Sequence, residues 1–293
     1  MSVKKSKSFI KTSNTISACI VAHNDEHQIE RCLKSIAPVV DEIIIIHDGA
    51  CRDQTLEIAK KYTKYVFVGK KYGYPEPHRV TGFEKAKGNW ILVIDTDEFL
   101  SKSLQKNLRR LVDSGKADGY MFLWKFWNGK RYISQHWPHR IGIVRKSSLR
   151  FLAVLHPDWR IRGKSIDVPY HLEHRPAYDN CTWQSFATKW IRWLQLHAQQ
   201  VLMPVDVIPQ FQYDDSLYVR HIDWIKRYHF FVAPVIFFYF LIAGWLVIDS
   251  RDRWSLRKYV FFQALYYFLL ALEVGRIKVG LVPKLKHEQT PKH

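Results

Sequence analysis

The chain has 293 residues, of which 47% are hydrophobic and 15% aromatic, and its 45 Lys and Arg against 27 Asp and Glu give a formal charge of +18. This apolar content excludes a disordered chain. Four widely spaced cysteines without a CxxC pair exclude a disulfide scaffold and favour a reducing compartment. The charge alone leaves nucleic acid, anionic lipid and phosphorylated substrates open as partners.

The predicted elements begin after a basic flexible arm, residues 1–15, which is rich in Lys, Ser and Thr. Residues 16–222 are expected to form one α/β domain. The predicted strands are 16–22, 43–46, 65–68 and 90–94, and the predicted helices begin after Asn24, as the N-cap, and at Thr55. Because these strands are almost continuously apolar, we expect a parallel sheet covered by helices on both faces.

Residues 223–293 are predicted to form an apolar and basic helical region that associates with a membrane. Their uncharged runs, 230–248 and 259–272, have 19 and 14 residues. A crossing helix needs about 20 apolar residues, and 14 residues reach only about 21 Å. A hairpin would also leave the basic 251–258 loop outside. We therefore expect helices lying in one leaflet against anionic headgroups; the alternative is core helices of a soluble domain.

Polar and acidic residues follow three of the predicted strands, at the edge where an open parallel sheet collects its ligands. They lie at 22–26, 47–53 and 95–98. Asp95 and Asp97, two positions apart, can present carboxylate oxygens to one hard divalent cation, and such a cation stabilises a departing diphosphate. The plain alternative for this cluster is a solvated acidic turn.

Together these segments resemble the family 2 inverting glycosyltransferases, and most closely the bacterial enzymes that build lipopolysaccharide core and related envelope glycans. The resemblance covers about residues 16–200 and implies a GT-A fold, with a Rossmann-like, mostly parallel sheet flanked by helices. It implies transfer of a hexosyl group from a nucleotide-diphosphate sugar to an envelope glycan or lipid-linked acceptor. It further implies inversion, Mg²⁺ or Mn²⁺ as cofactor, and the cytoplasmic face of the inner membrane as location.

The resemblance also implies residue roles. The residues expected to hold the nucleotide sugar are Ala22, His23, Asn24, Glu26, Asp48 and Asp95. Asp97 is expected to bind the metal, with His174 completing the metal site. Independently of the resemblance, the pattern over 183–200 predicts an amphipathic helix that carries Lys189 and Arg192; either cation could neutralise the leaving diphosphate, and the alternative is a solvated helix face. His47 and the enlarged turn 50–52 depart from the family pattern and leave the base of the donor open.

An inverting transfer needs a general base on the acceptor hydroxyl. The resemblance places Asp158 in this role, at a position where Glu is common in the family, with Glu98 and Glu173 as competitors. Aromatic residues of the acceptor side are expected among Trp124, Phe126, Trp127, Trp137 and Trp159.

Two other classes of function remain open. A non-catalytic relative could bind a nucleotide sugar or act as a scaffold at the membrane; the altered 47–53 turn permits this, whereas the intact Asp95 and Asp97 pair argues against it. A nucleic-acid-binding protein could use the positive charge. However, the basic residues lie near the termini and the apolar runs rather than within a recognisable nucleic-acid motif, so no nucleic acid partner is expected.

Overall fold

The computed structural model describes residues 14–155, 158–176, 179, 182–214 and 217–283, with the side chains of 158 and 217–222 outside the description. The strands are β1 (Ile16–Ala22), β2 (Glu42–Asp48), β3 (Val66–Gly69), β4 (Trp90–Val93), β5 (Glu98–Leu100), β6 (Gly119–Leu123), β7 (His139–Arg145), β8 (Leu149–Leu152), β9 (Asp158–Ile161), β10 (Ser165–His174) and β11 (Gln210–Phe211). The helices are α1 (Ile29–Ile36), α2 (Thr55–Lys60), α3 (Glu76–Lys85), α4 (Lys102–Asp113), α5 (Trp183–Ser185), α6 (Ile191–Leu202), α7 (Leu217–Val247) and α8 (Arg257–Lys278), and a π-helical segment (Phe186–Trp190) joins α5 to α6.

Eight strands form the main sheet in the order β3-β2-β1-β4-β7-β6-β10-β5, and β11-β8-β9 form a small second sheet. The first four strands are parallel, as the sequence predicts. Beyond them β7 runs antiparallel to both β4 and β6, and β10 is parallel to β6 but antiparallel to β5. A loop without a crossover helix joins β6 to β7, which allows the antiparallel pairing. The mostly parallel α/β sheet is therefore confirmed, with a mixed second half.

Helices cover both faces of the parallel strands. Along β1 and β2, alternate side chains enter two separate cores. Ala18 and Ile20 pack on the side of α1 and α4, whereas Cys19 and Ile46 pack on the side of α3 with Phe83. This double burial explains why the strands are continuously apolar.

The predicted helix cap at Asn24 is wrong. Helix α1 begins at Ile29, and its N-cap Gln28 makes no side-chain capping bond. Asn24 instead has φ 53°, and its Oδ1 accepts a hydrogen bond of 2.9 Å from the backbone N–H of Arg52. The residues between β1 and α1 form a turn in which the carbonyl of Asp25 accepts from Gln28 and Ile29. Because of this turn, the chain after β1 contacts the 51–55 loop, and the helix begins five residues after Asn24.

The two C-terminal helices form a hairpin that packs on α6. One hydrophobic cluster joins Ala198 of α6, Ala233 of α7 and Tyr266 of α8. At the helix crossing, a Cβ on Gly275 would lie 2.5 Å from Cδ2 of His229, so only glycine permits this approach. Helix α7 is kinked at Tyr228, where φ is −125° and ψ is 24°.

Both C-terminal helices are long and apolar enough to cross a membrane, over 223–247 and 257–278. Helix α8 has 22 residues, which corresponds to about 33 Å. Its first and last turns carry charged residues, so the uncharged run underestimates its length. The prediction that the second run is too short to span is therefore wrong. The predicted arm, residues 1–15, lies almost wholly outside the described residues, which begin at 14.

Asp252, in the loop between α7 and α8, fastens this hairpin to the segment between β6 and β7. Its buried carboxylate accepts hydrogen bonds from the backbone N–H groups of Gln135 (2.9 Å) and His136 (2.6 Å). We expect Asp252→Ala to lower the free energy of unfolding by about 2 kcal/mol, because it leaves both N–H groups without acceptors. Urea denaturation measures this change. The neighbouring Asp249→Ala removes a pair with the exposed Arg251 side chain and a hydrogen bond from the Arg251 N–H within the same turn; it is the control and should change the free energy of unfolding less. Equal unfolding midpoints for the two variants would contradict this role.

Candidate active site

A cleft of about 650 Å³ opens at the carboxyl ends of β1, β2 and β4. It brings together many of the residues expected at the site: Ala22, His23, Asp48, Asp95, Asp97, His174, Lys189 and Arg192. Asn24, Glu26, Glu98 and Glu173 are not among its lining residues. The polar strand ends therefore do converge, and the cleft is closed on its far side by α6 and α8.

Asp48 shapes the wall of the cleft on the β2 side. Its carboxylate accepts hydrogen bonds from the backbone N–H groups of Tyr72 (2.6 Å) and Gly73 (2.9 Å) and lies 2.9 Å from Nε2 of His78. Burial acts to raise the pKa of Asp48, but these bonds outweigh it and leave the pKa below its usual value. The ionised carboxylate thus holds the 72–73 turn against β2. A side chain on Gly49, whose φ is 79°, would press on Cβ of Lys71 at 2.8 Å.

His47 and its neighbours tie the first two strand ends together behind the cleft. Nε2 of the fully buried His47 accepts from the N–H of Asn24 at 3.1 Å, so Nδ1 carries the proton and donates to the carbonyl of Gly49 at 2.8 Å. Glu26 accepts from the N–H of Gln54 at 2.9 Å. Asn24 and Glu26 thus contact the 51–55 loop, and the structure does not bring them to the cleft lining.

Asp95 lies between two guanidinium groups. Its Oδ1 accepts a hydrogen bond from Nη2 of Arg79, and its Oδ2 lies 3.8 Å from Nη1 of Arg140. Burial acts to raise the pKa of Asp95, but Arg79 and Arg140 outweigh it, so the pKa lies below its usual value. Asp95 is therefore an ionised carboxylate whose charge is balanced by the protein itself.

Asp97 has different neighbours. Its Oδ2 lies 3.3 Å from Nε2 of His174, and its backbone carbonyl accepts from the N–H of Arg175 at 3.1 Å. His174 ends β10, opposite Glu98 in the β5 pairing, which brings it to the carboxylate. Its ring stacks on Trp124 with centroids 4.1 Å apart. In the described part of the chain, no ion pair joins Asp97 to a Lys or Arg, so its charge faces the cleft.

Asp97 and Nε2 of His174 are suitable ligands for a divalent cation, and both line the cleft. No group of three or more His, Cys, Asp or Glu side chains that could hold a metal is found among the described residues. Two protein ligands are nevertheless what Mg²⁺ commonly uses when substrate phosphates and water supply the rest. The donor set thus fits a metal that binds together with a diphosphate rather than a resident ion.

Glu98 lies beneath the Asp95–Asp97 turn rather than in the cleft. Its Oε1 accepts from Nε1 of Trp124 (2.6 Å) and Nη1 of Arg140 (2.5 Å), and its Oε2 accepts from the N–H of Asp95 (2.8 Å). Only 1% of the residue is exposed, and burial raises its pKa despite the opposing Arg140. Both carboxylate oxygens of Glu98 already accept hydrogen bonds, and the hydroxyl of an acceptor substrate cannot reach them. The geometry therefore favours a positioning role for Glu98 over that of a general base.

The other two candidates for the general base are Glu173, whose side chain the structure describes, and Asp158, whose side chain it does not. Glu173 accepts from the hydroxyl of Tyr132 and lies 3.8 Å from Nη2 of Arg175, away from the cleft lining. Asp158 begins β9, where it pairs with Leu152, but its side chain lies outside the described part of the chain. Asp158 as general base therefore stays a prediction.

The far wall of the cleft carries aromatic and basic side chains. Trp124, Phe126, Trp190 and Trp193 line it, with Lys189 and Arg192 from the π-helical segment and α6 and with Tyr259 and Gln263 from α8. The amino group of Lys189 lies 4.5 Å from the Trp193 ring centroid. Of the other expected aromatics, Trp137 packs behind Phe126, Trp127 contacts Tyr132, and Trp159 packs on Phe151 at 4.3 Å. The aromatic cluster of the sequence is thus divided between cleft and core.

Sequence reasoning missed the arginines that balance the acidic turn. Arg79 lies on α3 and Arg140 on β7, 16 and 45 residues from Asp95. The one available signal was a hydrophilic helix following β3 with charged residues at positions that the fold buries, Glu76 and Arg79. A motif of acidic residues carries no information about the arginines that pair with it from distant parts of the chain.

Glu76 makes stability depend on pH. Burial, opposed by Arg79, raises its pKa from 4.5 to about 7, and its Oε2 has no hydrogen-bond partner among the described residues. Between these values the folded state keeps a proton that the unfolded state has lost. The free energy of unfolding should therefore fall by up to about 3 kcal/mol as the pH rises from 4.5 to 7. Urea midpoints over this range should fall less for Glu76→Gln than for the wild type; parallel curves would contradict this role.

Comparison with known proteins agrees with this geometry. Residues 17–161 match the model of glycosyl transferase family 2. An uncharacterized glycosyltransferase of Rickettsia bellii is 35% identical over 106 residues, which cover 36% of this chain and 35% of that protein. The poly(ribitol-phosphate) beta-N-acetylglucosaminyltransferase TarS of Staphylococcus aureus is 26% identical over 123 residues, which cover 39% of this chain and 22% of TarS.

The matched region thus spans only about a third or less of these relatives. Among solved structures, S. aureus TarS 1-349 in complex with UDP-GlcNAc aligns with 91% of this chain and 92% of its own, at 15% identity and a TM-score of 0.45. The family match covers the parallel strands, the polar strand ends and the Asp95–Asp97 turn. Over residues 17–161, just under half of its length, the chain therefore matches glycosyl transferase family 2, the family that its sequence motifs resemble.

Proposed function

We propose that the chain transfers a sugar from a nucleotide-diphosphate donor to an envelope glycan or lipid-linked acceptor, with inversion at the anomeric carbon. The observation that carries this proposal is the cleft in which Asp97 and His174 face the basic side chains Lys189 and Arg192. Carboxylate and imidazole suit a divalent cation, and the basic residues suit the phosphates that such a cation accompanies.

The donor is expected to lie along the ends of β1 and β2, with its diphosphate near Asp97. There Asp95, already neutralised by Arg79 and Arg140, adds little net repulsion to an incoming diphosphate. A bound Mg²⁺ or Mn²⁺, held by Asp97 and His174, would supply positive charge to the leaving diphosphate. Lys189 and Arg192 lie on the opposite wall and would balance the same charge from the other side.

The acceptor hydroxyl would attack the anomeric carbon from the face opposite the diphosphate. The new glycosidic bond forms as the bond to the diphosphate oxygen breaks, and the hydroxyl proton passes to a carboxylate. The resemblance assigns this base to Asp158. Trp124 and Phe126 line the cleft next to His174 and would contact the acceptor sugar there.

A non-catalytic scaffold is the second candidate function. The unusual His47 turn supports it, because this turn holds the first two strand ends by internal hydrogen bonds. Against it stands the Asp97 carboxylate, which lines the cleft beside His174 without a Lys or Arg partner among the described residues. We therefore place the enzyme first.

Donor hydrolysis tests this proposal without knowledge of the acceptor. In the presence of Mg²⁺ we expect slow release of nucleoside diphosphate from a matching α-linked nucleotide sugar, and ¹H NMR should show the β-anomer of the sugar first, because one inversion places water on the opposite face. Release of the α-anomer first would contradict inversion. Release that is unchanged in Asp97→Asn would remove the metal assignment.

We also propose that the C-terminal hairpin lies in one leaflet of the membrane. The outward face of α7 is a single apolar stripe, defined by Phe231, Val235, Phe238, Tyr239, Ile242 and Leu246, all of them exposed. The spacing places these side chains on one side of the helix. Such a large exposed apolar stripe is typical of a lipid or protein contact surface.

The packing of α8 favours one leaflet over a full crossing. Only 6% of the apolar window of α7 is buried, against 56% of that of α8. Helix α6 packs along α8, since Nδ1 of His197 lies 3.1 Å from the hydroxyl of Tyr266 and Ala198 shares a hydrophobic cluster with Leu270. A crossing hairpin would draw α6, with its cleft residue Arg192, into the hydrocarbon, where a charged side chain is costly.

Vesicle flotation tests this placement. We expect Phe231→Asp/Leu246→Asp to lose most binding to phosphatidylglycerol-containing vesicles, because both side chains would enter lipid. Val68→Asp is the control, since Val68 is exposed on β3, outside the hairpin. Flotation of Phe231→Asp/Leu246→Asp equal to that of Val68→Asp would contradict the proposed membrane face.

A further inference from the structure

Two further cavities continue the cleft along the segment from Thr182 to Arg192. The first, of about 630 Å³, shares Lys189 and Arg192 with the cleft. The second, of about 410 Å³, shares Asp179 and Thr182 with the first and reaches the start of α8. The three cavities therefore adjoin one another in series through these shared residues, from the cleft that holds Asp97 to the edge of the C-terminal hairpin, and we call the series the trough.

The far end of this trough combines positive charge with aromatic surface. Arg257 and Lys258 line it together with Trp183, Phe261 and Phe262, and Asp179 is the carboxylate that faces them. Nη1 of Arg257 donates to the carbonyl of Trp254 at 2.7 Å, which fixes the guanidinium. The Trp183 indole is 63% exposed, and its ring lies 4.9 Å from that of Phe262.

The cations and the exposed indole at the far end of the trough indicate which kind of ligand it suits. A guanidinium and an ammonium side by side suit a phosphate group, which takes several charged hydrogen bonds at once. An exposed indole beside them suits the first carbons of an alkyl chain at the membrane interface. A neutral sugar would need neither cation.

We propose that the trough is the acceptor site and that Arg257 and Lys258 bind a phosphate carried by the acceptor, between its glycan and its apolar part. This inference rests on the proposed function and names the acceptor class as a phosphate-bearing amphiphile. The accepting sugar would lie beside Trp124, its chain along Lys189 and Arg192, and its phosphate at Arg257 and Lys258. The apolar end would then pass directly to the hairpin.

A phospholipid headgroup offers the same phosphate chemistry as the acceptor. Continuity with the cleft favours the acceptor, because a site for bulk lipid needs no trough that ends at Asp97. An acceptor phosphate and a phospholipid headgroup are distinguished by comparing the binding of a soluble single-chain alkyl phosphate with the binding of a bilayer.

The test measures binding of decyl phosphate, below its micelle concentration, by isothermal titration calorimetry of the full chain. We expect Arg257→Gln/Lys258→Gln to weaken this binding at least about tenfold, because it removes both charge-assisted partners. Arg251→Gln/Lys278→Gln is the matched control; it removes two exposed cations from the same hairpin outside the trough and should leave the affinity within about twofold of wild type. Circular dichroism and thermal unfolding of both variants verify the fold.

Two outcomes would overturn the proposal. One is equal decyl phosphate affinity of wild type and the Arg257/Lys258 variant. The other is retained decyl phosphate binding with a selective loss of binding to vesicles of about 30% phosphatidylglycerol, which would assign the cations to bilayer headgroups. Titration of the wild type with UDP, GDP, ADP and CMP in Mg²⁺ runs in parallel. If none of these nucleotides binds while decyl phosphate binds at Arg257 and Lys258, the proposed transferase function fails and the phosphate site stands.

Discussion

Asp97→Asn is expected to lower the rate of donor cleavage by about a thousandfold, the largest effect of any single substitution in the cleft. The amide keeps the size of the side chain but removes the carboxylate charge that faces the cleft beside His174. With that charge absent, a divalent cation would lose its anionic protein ligand, and the diphosphate would leave without its counter-charge. Release of nucleoside diphosphate at saturating donor measures the effect.

The control for Asp97→Asn is Asp113→Asn, which alters a surface carboxylate at the end of α4 that hydrogen-bonds only Asn14 among the described residues. It should leave the rate within about twofold. Thermal unfolding should be similar for both variants, since Asp97 makes no buried ion pair with Lys or Arg in the described structure. A rate for Asp97→Asn within tenfold of wild type would show that Asp97 is not the metal ligand.

Glu98→Gln is expected to lower the free energy of unfolding by about 3 kcal/mol and to impair catalysis as well. The wild-type carboxylate accepts from Arg140, Trp124 and the backbone of Asp95. A glutamine amide offers one oxygen, so its NH₂ group must face one of these donors. Arg140 would lose a buried partner, and the turn that presents Asp95 and Asp97 would loosen.

Urea denaturation and donor cleavage together separate positioning from direct catalysis by Glu98. A positioning role predicts lower stability, together with a lower rate whose pH profile keeps its shape. Glu30→Gln, which removes an exposed carboxylate paired with Lys34 at 3.3 Å, is the control and should change neither quantity appreciably. A variant of Glu98 with native stability but no activity would instead make Glu98 a catalytic group.

The parallel half of the sheet was predictable from the sequence because its strands are apolar on both faces. The runs at 16–22 and 43–46 are long enough that a strand in a helix-covered sheet is the simplest way to bury them, and the structure places them in two cores. The residues after those strands were predictable for the same reason, since parallel strands end at one edge. Asp48, Asp95 and Asp97 meet there as expected.

The partners of those residues were not predictable. Arg140 reaches the acidic turn from β7, whose position next to β4 follows from an antiparallel pairing that no local pattern encodes. Glu98 and Asp97 belong to the same acidic motif. The sequence does not show that the Glu98 carboxylate is buried whereas the Asp97 carboxylate lines the cleft. The burial of Glu98 against Trp124 decides this, and Trp124 lies 26 residues away.

The length and packing of the C-terminal helices were also not predictable from the sequence. Counting uncharged residues gave a run of 14 in the second segment, whereas the helix has 22, because charged residues occupy its ends and Glu273 is paired with Arg276 at 2.9 Å. Composition also could not show that α6 packs on α8 and thereby brings Tyr259 and Gln263 into the cleft. The hairpin is thus a wall of the site as well as a candidate membrane contact.

The central claim is that the cleft binds a nucleotide-diphosphate sugar with a divalent cation at Asp97. Calorimetric titration of wild type with UDP-, GDP-, ADP- and CMP-sugars, with and without Mg²⁺ or Mn²⁺, tests it most directly. We predict that one nucleotide class binds, that the metal tightens this binding by at least about tenfold, and that the metal alone does not bind measurably, because the described residues of the cleft supply only two ligands, Asp97 and His174. Absence of binding by every nucleotide sugar, with and without metal, would contradict the account.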